Sequence, residues 1–204
     1  LHEAYEFIQQ QPQLGKITNG KYSTAKFNPF KKLKIKVRPE IVTFGLGEID
    51  VVNKTGKHVN AQEWNQLLND PEVLVIDTRN DFEYKMGTFK NAVNPNTKTF
   101  RELPEFVAAN MKNTQHKKVA MCCTGGVRCE KSTAYLKDLG FEEVYQLDGG
   151  ILNYFQEIDP KESLWQGRCF IFDDRIAVDQ NLAPVGVPED HINYGRRAMI
   201  GKDG

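Results

Sequence analysis

Residues 119–132, VAMCCTGGVRCEKS, hold three of the chain's four cysteines, Cys122, Cys123 and Cys129, beside Gly125, Gly126 and Arg128. A thiol becomes a nucleophile only as its thiolate, and backbone N–H groups at a helix N-terminus stabilise that charge. The two glycines let the backbone curl so that successive N–H groups point inward. Such a nest holds a phosphate, a sulfate or a terminal persulfide sulfur. Arg128 adds a fixed positive charge or braces the loop. The plainer alternative is a buried structural cysteine followed by an ordinary glycine turn. The combination of strand, cysteine, glycine pair, arginine and capped helix favours a reactive site.

The elements around this loop must position it. VLVID (73–77) and KKVAMCC (117–123) are continuous apolar runs, as strands buried on both faces require. EEVYQL (142–147) reads as a third strand. Between them lie helical stretches: one capped by Asn60 with Glu63 and running to Leu68, one at 104–111, EKSTAYLKDLG closed by Gly140, and ILNYFQEI after Asp148-Gly-Gly. Alternation of this kind predicts an α/β domain with a mainly parallel sheet, whose ligands bind where strand C-termini open into helix N-termini. The cysteine loop lies at such a junction. GRCFIF-DD-RIAVD predicts a hairpin turning at Asp173 and Asp174, and the tail after Pro184 reads as irregular.

Counted from Cys122, the loop reads Cys-x-x-Gly-x-x-Arg, the spacing of cysteine-dependent phosphatases. Counted from Cys123 it is one residue shorter and resembles the rhodanese loop, a smaller cradle suited to sulfur. Met121 and Cys129 stand where the phosphatase pattern has histidine and Ser/Thr, which weakens the first register. Residues 73–94 resemble the rhodanese segment through Asp77, Arg79, Glu83, Gly87, Ala92 and Asn94, and residues 140–154 resemble that family's closing strand and glycine pair. The resemblance covers roughly residues 58–156. It implies a rhodanese-like fold with Cys123 as nucleophile, Thr124, Gly125, Gly126, Val127, Arg128 and Cys129 as the cradle, and Cys122 as the last strand residue pointing into the core. Asp77 and Arg79, at a strand end, are expected near the site as supporting residues, either orienting the loop or forming a structural ion pair.

Within rhodaneses, CTGGVRCEKS, LWQGRCFIFDDRIAVD and KLKIKVRPEIVTFG resemble the tRNA uridine hydroxylase (TrhO) family. That resemblance implies oxygen-dependent 5-hydroxylation of the wobble uridine, with tRNA as partner, molecular oxygen as co-substrate and an N-terminal ferredoxin-like module. The chain departs from that family in lacking a Glu-Gly-Ile-Asn type stretch near its start and CxxC pairs in its tail. Two alternatives stand beside it: a sulfurtransferase working through a Cys123 persulfide, and a non-catalytic rhodanese module that binds tRNA or protein. The organisation expected is a partial α+β module at 1–45, a linker at 46–57, the rhodanese-like domain at 58–156 and an extension at 157–204.

Formal net charge is zero, so a nucleic-acid reading needs a local patch. From residue 16 to 38 there are eight Lys/Arg and no acid. LHEAYEFIQQ predicts a short amphipathic helix. Residues 33–38 alternate as a half-buried strand with a basic outer face, making Lys32, Lys34, Lys36 and Arg38 candidate phosphate contacts. Tyr22, Phe27 and Phe30 interleave with these lysines; core packing is their expected role, with stacking on bases the alternative. No apolar run reaches the length of a membrane span and no secretory signal is visible. Clustered cysteines suit a reducing, cytoplasmic setting better than a disulfide framework. Cys129 is a candidate resolving thiol for Cys123. No metal site is expected, since CxxC spacing is missing and the histidines at 2, 58, 116 and 191 form no ligand pattern.

Overall fold

The computed structural model describes residues 2–12, 25, 27–30, 36–112, 114 and 117–186. The chain divides into two compact units, Leu1–Lys31 and Lys32–Gly204. In the first, helix α1 (His2–Gln9) forms where the sequence predicts it. Phe27 and Phe30 are exposed rather than in a core: no described element of that unit covers them. Tyr22 lies outside the described residues.

The second unit is built on a four-stranded parallel sheet of order β1-β5-β4-β2: β1 (Lys57–Val59), β2 (Val73–Asp77), β4 (Lys118–Cys122) and β5 (Glu143–Leu147). Helices follow the strands, as parallel crossovers require. Helix α2 (Ala61–Asn69) starts at a reciprocal cap: the Glu63 N–H donates to Asn60 Oδ1 at 2.9 Å, and the Asn60 N–H donates to Glu63 Oε2 at 3.0 Å. Its buried residues, Ala61, Trp64 and Leu68, lie on one stripe. Helices α4 (Leu103–Asn110), α5 (Val127–Asp138) and α6 (Gly150–Glu157) occupy the other predicted helical stretches. Helix α5 begins three residues earlier than EKSTAYLKDLG, taking in Val127, Arg128 and Cys129.

Strand alternation sorts the core into two layers. Val73, Val75, Ala120, Cys122 and Leu147 pack with α2 and α6. Ile76, Val119, Met121, Cys123 and Val144 pack with α4 and α5. Cys122 is the last strand residue and fully buried, as expected. A short helix α3 (Asp81–Met86) and β3 (Gly87–Phe89) follow β2, and β3 pairs antiparallel with β6 (Trp165–Gly167). The β3–β6 pair closes an aromatic cluster: Phe89 meets Trp64, Tyr154 and Trp165 at ring centroids of 5.5, 4.8 and 5.0 Å, and Phe155 meets Trp165 at 5.4 Å. The predicted C-terminal hairpin is present with two-residue arms, β7 (Cys169–Phe170) and β8 (Ala177–Val178). Its turn is pinned by Asp173, which accepts from the Arg175 backbone N–H and guanidinium.

The basic strand expected at 33–38 is corrected in part. Residues 33–35 are outside the described set; Lys36, Val37 and Arg38 form no strand, and Val37 is completely exposed. Alternation makes a half-buried strand only where a neighbour supplies pairing and cover. The following segment does dock on the sheet domain: Phe44 is buried against Phe100 and Tyr135, and Lys131 binds the Glu40 carboxylate at 2.6 Å and the Val42 carbonyl at 3.0 Å. Among the described residues no helix is long and apolar enough to cross a membrane.

Candidate active site

The β4 chain leaves the sheet at Cys122, whose carbonyl accepts from the Thr78 N–H and hydroxyl at 2.9 and 3.0 Å. The next residues turn sharply into α5. Only Gly126 uses a glycine's freedom here, with φ 88° at the position before the helix. Gly125 is not in the left-handed region and a side chain there would meet open space, so the expected curl comes from one glycine, not two. A second glycine is forced from outside the loop. Gly150 opens α6 at φ 70°, and a Cβ there would lie 2.5 Å from the Cys123 carbonyl oxygen and 2.7 Å from the Gly126 nitrogen. That close approach lets α6 hold the loop's carbonyls: the Ile151 N–H donates to Cys123 at 3.0 Å and the Leu152 N–H to Thr124 at 3.1 Å. With carbonyls turned toward α6, the loop's amides are free to face the sulfur.

Cys123 sits 2% exposed in this cradle. The Gly126 N–H donates to its Sγ at 3.1 Å. Its pKa is lowered to about 6 by a hydrogen bond from Cys129, by the Arg128 charge and by the Cys129 and Arg128 amides, which together outweigh burial. Cys129 is fully buried with its hydroxyl neighbour Thr78 at 3.8 Å, and burial together with the Cys123 charge pushes its own thiol well above the ordinary value. It therefore remains a donor when Cys123 ionises. Cys122 and Cys169 are raised by burial, Cys169 to about 12. All four cysteines are free.

Arg128 is fixed by Glu83, which the sequence marks as a residue of the rhodanese-like segment without assigning it a partner. Its guanidinium donates to both Glu83 oxygens, at 2.7 and 2.9 Å, and to Thr124 Oγ1 at 3.3 Å. Glu83 is fully buried on α3, 45 residues away in sequence. The usable signal was physical: a buried loop arginine needs a carboxylate, and Glu83 is an acid of the same segment that carries Asp77. Val127, beside Arg128, is 45% exposed at the rim. Phe172, not singled out from the sequence, has its ring centre 5.9 Å from the Arg128 guanidinium carbon.

Asp77 and Arg79 pair with each other at 2.7 Å, both side chains completely buried. Thr88 donates to Asp77 at 2.8 Å, Arg79 donates to the Gly87 carbonyl, and the Arg79 guanidinium lies 5.1 Å from the Trp165 ring centre. These contacts tie the end of β2 to β3 and β6. Asp77 stands opposite Cys122 in the β2–β4 register. Of the candidate RNA contacts, Lys36 and Arg38 are exposed, while Lys32 and Lys34 lie outside the described residues. Among the described residues no group of His, Cys, Asp and Glu is arranged to hold a metal.

Residues 60–157 match the Rhodanese-like domain family. Over 166 residues the chain is 54% identical to the tRNA uridine(34) hydroxylase of Legionella pneumophila (strain Corby), covering 80% of this chain and 65% of that protein. The chain thus spans just under two thirds of that relative's length. Among solved structures it resembles a rhodanese-related protein from Thermoplasma volcanium, at 25% identity over 51% of this chain and 95% of that one, with a TM-score of 0.42. A rhodanese-like domain protein from Staphylococcus aureus is similar at 28% identity over 48% and 90%, with a TM-score of 0.39. Residues 60–157 thus form a rhodanese-like domain, built on the four-stranded parallel sheet and the helices that flank it.

Proposed function

We propose that this protein hydroxylates uridine 34 of tRNA with molecular oxygen and a two-electron reductant, one oxygen atom going to the base and the other leaving as water, with the Cys123 thiolate as its essential group. The observation that carries the proposal is the 54% identity to a tRNA uridine(34) hydroxylase across 80% of the chain. Support from the site is the Gly126 amide donating to the Cys123 sulfur and the Arg128 charge beside it. In this reading residues 1–45 belong to an α+β module of the ferredoxin-like kind, and Lys32, Lys34, Lys36 and Arg38 approach the tRNA backbone in the cytoplasm. Asp77 and Arg79 support the site by fixing the end of β2.

The test is nucleoside mass spectrometry of tRNA from a strain lacking the gene, complemented with wild type or Cys123→Ser. The expected result is 5-hydroxyuridine restored by wild type alone. Full restoration by Cys123→Ser, or no change on deletion in a strain without a second route, overturns the proposal.

One observation favours a second reading. The cradle is small and donates N–H groups straight to sulfur, the 3.1 Å Gly126 contact among them. That geometry suits a persulfide: the thiolate attacks the outer sulfur of thiosulfate, an S–S bond forms and sulfite leaves with the electron pair. A gain of about 32 Da on Cys123 after incubation with thiosulfate would support it, the added mass of one sulfur atom transferred in group-transfer catalysis.

A further inference from the structure

Phe172 is a large apolar side chain left 51% exposed on the β7–β8 turn. Left half in water, the ring forgoes part of the burial by which an aromatic side chain stabilises a fold. The turn around it is rigid: Asp173 and Arg175 form a nearly buried ion pair, with side chains 7% and 10% exposed. Behind the ring, Phe170 is completely buried, meeting Phe172 edge-to-face at 5.0 Å and Phe82 at 5.1 Å. Below it lies Arg128, the same guanidinium that acts on the Cys123 sulfur. The fold therefore spends a braced turn and a supporting ring to hold one exposed aromatic beside the nucleophile loop. Val127, next to Arg128 in sequence, is likewise half-exposed.

A ring in that place suits a flat partner. An unpaired nucleobase whose edge is to react must be splayed from its neighbours, and aromatic side chains replace the stacking it gives up. The proposal rests on the tRNA uridine reading. We propose that Phe172 is the platform on which the target pyrimidine stacks as its edge enters the Cys123 cradle.

The experiment uses the full-length protein and two RNA probes, an anticodon stem-loop with uridine at position 34 and the same stem-loop abasic there. Wild type is expected to bind the uridine probe at least about fivefold more tightly, the lower end of base–aromatic stacking. Phe172→Ala is expected to lose that discrimination and to raise KM for hydroxylation, while Phe172→Tyr keeps both. The pH profile of Cys123 alkylation, unchanged in Phe172→Ala, shows that the loop and Arg128 are intact. Phe172→Ala discriminating like wild type overturns the platform alone. Absence of hydroxylation by wild type removes the parent reading, a separate outcome. A Phe172→Ala protein that binds both probes and hydroxylates normally but loses a protein partner makes the ring a protein contact instead, and also overturns the proposal.

Discussion

Cys122 and Cys123 are neighbours in sequence, equally hidden from water, and each stands beside a buried arginine–carboxylate pair. Their chemistry is opposite. Cys122 faces the α2–α6 layer next to Asp77 and Arg79, and burial with the Asp77 charge keeps its thiol protonated. Cys123 faces the α4–α5 layer next to Glu83 and Arg128, and its thiol is acidic. Nearby ion pairs alone do not make the difference, because a pair presents both signs. The difference is aim: Cys123 receives the Gly126 amide at a helix start and lies in the field of Arg128. Cys122, still in the strand, has only a long 4.0 Å approach to the Ile76 carbonyl. One residue of alternation separates a thiol raised by burial from one lowered by its donors and a nearby guanidinium.

Selective labelling puts the comparison at most risk. Iodoacetamide at low dose should modify Cys123 alone, its rate rising with a midpoint at about pH 6, and Cys123→Ser should abolish rapid labelling without Cys122 taking over. Linkage gives the matching sign for stability. A thiol depressed from its ordinary value near 8.5 contributes fully above that pH, and the contribution is lost as pH falls through about 6. Chemical denaturation of wild type and Cys123→Ser across pH 5–9 should therefore show wild type gaining relative stability toward the alkaline side.

The two ion pairs can be separated next. Asp77→Ala strands the buried Arg79 and should cost roughly 3–5 kcal/mol in urea unfolding, yet leave the Cys123 labelling midpoint in place. A moved midpoint would show that the pair reaches the nucleophile.

The donor to the sulfur is the finest test. Cys129→Ala should raise the Cys123 midpoint, cutting the thiolate at pH 7 by up to roughly thirtyfold if the thiol returns to its ordinary value. Cys129→Ser, which keeps a donor, should move it less. Equal midpoints in Cys129→Ala and wild type would leave Arg128 and the amides to account for the acidity.

Much of this was legible before any coordinates. Apolar runs and caps placed three of the four parallel strands and the helices between them, because strands buried on both faces and capped helices have strong local patterns; β1, three residues with two of them exposed, has no such pattern. The end of β4 at Cys122 was legible too, through the rhodanese resemblance of the flanking segments rather than through the strand's own pattern. What escaped was long-range or relational. Glu83 reaches Arg128 across 45 residues, and no local pattern encodes that pairing. Gly150 matters because of the carbonyl it approaches, not because of its own neighbours. Phe172 looked like one more apolar residue of a hairpin, and only the fold shows that it stays outside. The reverse error occurred at Val37, where alternation without a partner strand gave an exposed side chain.

The pairing of β3 with β6 carries a last consequence for where this domain can be cut. The family match stops at residue 157, but Trp165 completes the ring cluster around Phe89 and Phe155 and covers Arg79. A protein trimmed at that boundary would retain every atom of the thiolate cradle while opening the hydrophobic floor beneath it. The smallest piece that melts as one cooperative body therefore extends through β8, about twenty residues past the family boundary. Grafts and fragments of this domain should be designed to that limit.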